Sequence, residues 1–103
     1  MVSVVVYIPE SHLQKVKEAM FAAGGGKIGN YDSCCWQTEG RGQFRPLENS
    51  KPYLGQKGVV KTVVEMKVEM ACEREKAAAV IAAMKAVHPY ETPAYHVMET
   101  LSF

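Results

Sequence analysis

The chain has 103 residues, of which 48% are hydrophobic and 22% charged, and its net charge is +1. This is the composition of one folded domain, residues 1–103, and not of a disordered or repeat protein. Lys and Arg form no cluster, which excludes the basic footprint of a nucleic-acid binder.

"VSVVVYI", Val2–Ile8, is β-branched and aromatic, and Pro9 stops it. It predicts a largely buried strand. Residues 11–23 place Leu13, Val16, Met20 and Ala23 on one helical stripe, with Lys15, Lys17 and Glu18 opposite. Ser11 or Glu10 can cap the start, and Gly24, Gly25 and Gly26 end the helix. From Asp32 to Phe44 the pattern is extended, with Cys34, Trp36 and Thr38 on one face and Cys35, Gln37 and Glu39 on the other. Gly40 and Gly42 signal a bulge or bend. Residues 45–58 carry turn residues throughout and read as a loop or arm. In residues 59–71, Val64, Met66, Val68 and Met70 alternate with Glu65, Lys67 and Glu69, as in a half-buried strand. Residues 73–88 give a second helix with Ala77, Val80, Ile81, Met84 and Val87 as its stripe. Pro89 forces His88 out of helical geometry. After the turn "PYETP", residues 94–101 form a last strand.

The order β-α-β-β-α-β with two helices predicts an α+β, ferredoxin-like sandwich: a four-stranded antiparallel sheet with both helices on one face. The other sheet face has no partner within the chain, so the chain is expected to form a homo-oligomer. A domain this small has little room for deep private cavities, and larger sites are expected between subunits. Apolar runs such as Val4–Ile8 and Ala77–Ala83 are too short to span a bilayer. The N-terminus lacks the marks of a signal peptide. Three cysteines, an odd number, argue against a disulfide scaffold and fit a cytoplasmic location.

"GGGK" looks like a phosphate cradle, but it follows a helix. The partial negative charge of a helix C-terminus repels phosphate. A C-cap and turn is the first reading. A binding loop completed by another subunit, using Lys27, Asn30 and Tyr31, is the second. Cys34 and Cys35 are neighbours on a strand and point to opposite faces, so they do not chelate one ion together. Cys and the six methionines are soft ligands of the kind copper prefers, so copper binding through them is conceivable. Met66 and Met70, however, alternate with valines as core residues do. "HPYET", residues 88–92, sets His88, Tyr90 and Glu91 on a proline-fixed turn that could face a ligand or a metal. It could equally serve only the turn itself. Glu39, Arg41 and Arg45 sit near the strand bend and could line a polar cleft. No nucleophile–base pair stands out.

"GGGKIGNYDSCCWQTEGRGQFRPLENSKPYLG" and "HPYETPAY" closely resemble the inserted domain of YqfO-type proteins, the NGG-one-interacting-factor-three-like family. The resemblance runs from Val2 to about Leu101. It implies the fold of the trimeric CutA and PII proteins, and His88–Glu91 is similar to the histidine-proline-tyrosine-glutamate turn of CutA. In full-length members the flanking halves hold two metal ions. A GTP cyclohydrolase label therefore has no catalytic residues to rest on within these 103.

Together these readings predict a non-enzymatic oligomeric small-ligand-binding or regulatory module, a trimer by resemblance, without nucleic acid or membrane. Its ligand site would use Lys27, Asn30, Tyr31, Glu39, Arg41, Arg45, His88, Tyr90 and Glu91. Two alternatives stay open. One is a divalent metal binder of copper type with His88, Glu91 and Cys35 as ligands. The other is an assembly module for a protein partner. No cofactor is called for.

Overall fold

A computed structural model describes residues 1–103. Strand β1 is Val2–Pro9. Its even residues Val2, Val4, Val6 and Ile8 point to one side and form the spine of the core. A 3-10 turn, Glu10–His12, leads into helix α1, Leu13–Ala22. Val16 and Met20 are its buried residues, and Leu13, Phe21 and Ala23 pack beside them. Strand β2 is Trp36–Phe44, and β3 is Lys61–Cys72. A second 3-10 turn, Arg74–Lys76, precedes helix α2, Ala77–Val87. Val80 and Met84 of α2 complete the core, and Tyr95–Glu99 forms β4.

The sheet order is β2-β3-β1-β4, and all three pairings are antiparallel. Both helices cover the face built by the even residues of β1. This is the α+β ferredoxin-like sandwich that the element order predicts. β1 pairs with residues 65–72 of β3 only. Residues 61–64 of β3 pair with residues 41–44 of β2 and with nothing else. The β2–β3 pair therefore runs past the core as a two-stranded ribbon, and the molecule measures 46 × 24 × 24 Å. No helix is long and apolar enough to cross a membrane.

The open sheet face differs from a bare apolar surface. Glu65, Lys67 and Glu69 of β3 stand on it, opposite Gly40, Thr38 and Trp36 of β2. Lys67 and Glu69 lie 4.0 Å apart. Val5 and Tyr7 of β1 and His96 and Met98 of β4 complete it. The face is mixed because β3 alternates from Glu65 to Met70: Met66, Val68 and Met70 face the helices, and the charges between them had only this side left.

Two strand starts move, and the last strand, predicted over 94–101, is Tyr95–Glu99. The extended stretch predicted from Asp32 begins only at Trp36. Ile28 and Tyr31 bond to each other across a two-residue turn, with Gly29 at φ 57°. The Cys34 N–H then donates to the Gly26 carbonyl at 2.8 Å. These local bonds use the backbone that a strand would need. Cys34 and Cys35 thus precede the strand, and Cys35 packs against the core. Val59 and Val60 fall in the turn before β3, because β2 ends at Phe44, the partner of Lys61.

Candidate functional site

"GGGK" is a helix stop. The Gly25 N–H donates to the Met20 carbonyl and the Gly24 N–H to that of Phe21, both at 3.0 Å. Those two bonds make a Schellman cap, and Gly24 at φ 111° supplies its left-handed residue. The Gly26 N–H, donating to the Ala71 carbonyl, ties the loop to β3. Lys27, Asn30 and Tyr31 follow on an exposed two-residue hairpin at this end of the sheet.

The turn after α2 sits at the opposite end and is organised by His88. The imidazole is buried, with 6% of its surface exposed. The Tyr90 N–H donates to its Nδ1 at 3.1 Å. The proton therefore rests on Nε2, which donates to the Tyr7 carbonyl 2.8 Å away. Burial pulls the His88 pKa below its ordinary 6.5, against the opposing pull of the Tyr7 carbonyl, and the nearby His12 lowers it further. His88 is thus a neutral brace between the turn and β1. Both ring nitrogens are occupied, so the metal set predicted around it is corrected. His88, Glu91 and Cys35 form no three-ligand group, and Cys35 lies against the helix-side core. Nor do other His, Cys, Asp or Glu side chains form such a group.

The braced turn presents Tyr90 to a cleft of about 380 Å³. Three segments build its walls: the end of β2 at Phe44 and Arg45, the arm from Pro46 to Leu54, and the turn at Tyr90 and Glu91. The Tyr90 ring lies 6.1 Å from that of Phe44 and 6.3 Å from that of Tyr53, between centroids, both tilted. Such spacing is that of packed aromatic pairs. His12 meets Tyr53 edge-on at 5.8 Å, and the Lys51 N–H donates to Glu91 Oε2 at 2.9 Å. The arm is thereby pinned at both ends of its apex.

Tyr7 and Glu65 form the floor. The phenolic oxygen of Tyr90 is buried and stands beside the Glu65 carboxylate, without closing a hydrogen bond of good geometry to it. Burial, and then the neighbouring Glu65 carboxylate, push its pKa well above the tyrosine range, so it keeps its proton. A second, more polar cleft of about 270 Å³ shares Tyr7 and Glu65 and adds Glu39, Arg41 and Lys67.

Of the residues singled out in the sequence, Arg45, Tyr90 and Glu91 meet in the first cleft, and Glu39 and Arg41 line the second. His88 stands behind Tyr90, its ring 4.9 Å away. Lys27, Asn30 and Tyr31 join neither cleft. Sequence reasoning missed Phe44, Tyr53 and Glu65. The available signal was the aromatic within the proline-containing arm, "SKPYLG", opposite a glycine-rich strand.

No family model matches the chain. A Mycobacterium leprae protein named GTP cyclohydrolase 1 type 2 homolog is 42% identical over 93 residues, 90% of this chain and 24% of its own length. The crystal structure of a Bacillus cereus protein related to NIF3 superposes with a TM-score of 0.81 at 37% identity, over 94% of this chain and 24% of that one. The PII-like protein CutA from Nostoc superposes with a TM-score of 0.64 at 18% identity, over 97% and 81%, a likeness of fold. The chain spans about a quarter of the length of the curated relatives it matches. It is homologous to that quarter-length segment of the YqfO/NIF3-type proteins, and it has the CutA/PII-like fold.

Proposed function

We propose that this chain is a non-enzymatic, oligomeric small-ligand-binding or regulatory module, and that its ligand enters the aromatic cleft beside Tyr90. The carrying observation is a cleft of about 380 Å³ walled by Phe44, Tyr53 and Tyr90, with the polar side chains of Arg45, Glu65 and Glu91 on its lining. Ligand sites are commonly apolar clefts of this size with a few oriented polar groups. The protein supplies no nucleophile with an adjacent base. His88, the one buried imidazole, spends both nitrogens on the backbone. The name GTP cyclohydrolase 1 type 2 homolog belongs to relatives four times as long, and this reading does not extend that activity to these residues. The three free thiols fit a reducing, cytoplasmic setting. Burial, and after it the Glu73 charge, push the Cys72 thiol up, away from reactive thiolate.

The test is a thermal-shift screen with amines, amino acids, nucleosides and organic acids, on wild type and on Tyr53→Ala. A ligand at 100 times its dissociation constant adds about 2.7 kcal/mol to the folded state. The expected result is a class of compounds that raises the wild-type midpoint and leaves the variant's unmoved. Equal shifts in both proteins would place the binding elsewhere and overturn this assignment.

A further inference from the structure

We infer that the cleft beside Tyr90 takes a small organic cation, an ammonium or guanidinium group carried on an apolar body. This inference rests on the ligand-binding reading above and names the chemistry of its ligand. Four observations converge on it.

The first is the Glu65 carboxylate. It is half-buried on the cleft floor and forms no ion pair; the two pairs in the molecule are Lys67–Glu69 and Arg74–Glu99. A carboxylate that lines a cleft and pairs with no cation of the chain is open to one carried by a ligand.

The second is how Glu65 comes to lie there. A Cβ on Gly42 would overlap its carboxylate. The backbone of Gly42 does not have a positive φ, so any residue could adopt its conformation. What Gly42 provides is space, and the Glu65 side chain fills it. Strand β2 omits a side chain at the position that lets this carboxylate fold onto the floor beside Tyr90.

The third is the walls. Aromatic faces attract cations through their quadrupoles, and Phe44, Tyr53 and Tyr90 supply three rings in one cleft.

The fourth is the charge count. Two carboxylates, Glu65 and Glu91, line the cleft against one guanidinium, that of the exposed Arg45. Glu91 gives one oxygen to the Lys51 N–H, and its other oxygen accepts no bond from within the chain. An incoming N–H can donate to the Glu65 carboxylate, which stands beside the Tyr90 phenol. An anion placed there would instead face Glu65 and Glu91.

The experiment uses three probes of nearly one shape: phenethylammonium, phenethyl alcohol and phenylacetate. Each is titrated against the whole chain by heteronuclear NMR and calorimetry, with Glu65→Gln, Gly42→Ala and Arg45→Ala alongside. Phenethylammonium is expected to bind saturably, with perturbations centred on Phe44, Tyr53 and Tyr90. Glu65→Gln should weaken it by about tenfold, the loss of one charged hydrogen bond. Gly42→Ala displaces the same carboxylate while keeping its charge, and should also weaken binding in a protein that stays folded. Tighter binding of phenylacetate, lost in Arg45→Ala, would overturn the inference in favour of an anion. Equal binding of all three probes would overturn it while leaving the aromatic cleft a ligand site. Binding of none of them, while another compound class binds and needs Tyr53, would overturn this inference and spare the broader reading. No ligand of any class would overturn both.

Discussion

His88 shows how a residue that looks like a ligand becomes a brace. Its two ring nitrogens satisfy the backbone N–H of Tyr90, two residues on, and the backbone carbonyl of Tyr7, 81 residues away. Removing the ring in His88→Ala leaves both groups without partners in a part-buried place, which should cost about 2–3 kcal/mol in urea unfolding. The same geometry predicts a pH dependence. The folded pKa lies below the ordinary 6.5, because burial disfavours the imidazolium. Above 6.5 both states are neutral, and the brace contributes fully. As pH falls below 6.5, the unfolded chain gains a proton that the folded chain refuses, so stability is lost toward acid. His88→Gln keeps an N–H donor and an acceptor but does not titrate, so it should lose less stability than wild type on acidification through this window. Parallel losses in the two proteins would show that His88 is not held neutral. The motif "HPYET" was legible as a turn, and both a structural and a ligand role were open. Its division of labour was not legible, since that depends on Tyr7, which the fold brings from the far end of the chain. Glu65 was harder still. Its placement follows from a missing Cβ on another strand, and no local pattern records that.

Among the elements, both helices were legible because an apolar stripe at helical spacing has few other uses, and the glycines and proline that end them act locally. The strands lost residues at their ends for a different reason: a strand extends only as far as its partner. Asp32–Cys35 went to the Ile28–Tyr31 turn and the Gly26 bond. Val59 and Val60 found no β2 residue opposite them. The arm between β2 and β3 is the element on which the cleft depends, and turn composition revealed only that it was a loop. It is held by the Gly58 N–H donating to the Pro46 carbonyl at 2.7 Å, by Lys51 to Glu91, and by the packing of Tyr53 on Tyr90 and His12. Few of these contacts are buried, so the arm should open at low free energy compared with the core. Glu91→Ala removes one clamp. Amide exchange at Lys51 and through the arm should rise about fivefold, for a bond contributing about 1 kcal/mol. The amides of β1 should be unaffected. Unchanged exchange in the arm would mean that the aromatic contacts alone fix it.

At the scale of the whole molecule, the open sheet face that first suggested an oligomer is a mixed one, and the case for assembly rests on other features. Both sheet edges, β2 and β4, are unpaired. Exposed edges are templates for pairing between chains. The ribbon of residues 41–44 and 61–64 has no third strand, and two-stranded ribbons are marginal alone in water. Trp36 is 69% exposed at the start of edge strand β2, and Val97 and Met98 are exposed on edge strand β4. Large side chains at two edges and an unsupported ribbon are what a second copy would cover. The number three comes from the resemblance to CutA and PII. Light scattering of reduced protein should therefore give about three times the 11.4 kDa of one chain. Trp36 is the sole tryptophan, so its fluorescence reports on edge β2 without labels. Emission in the assembled state should be blue-shifted from that of a solvated indole, and should move red as dilution releases monomers. Trp36→Ala should lower the mass at a given concentration. A protein that remains at the mass of one chain when concentrated would refute the assembly. The cleft would then have to function within a single copy, where Arg45, Tyr90 and Glu65 already meet.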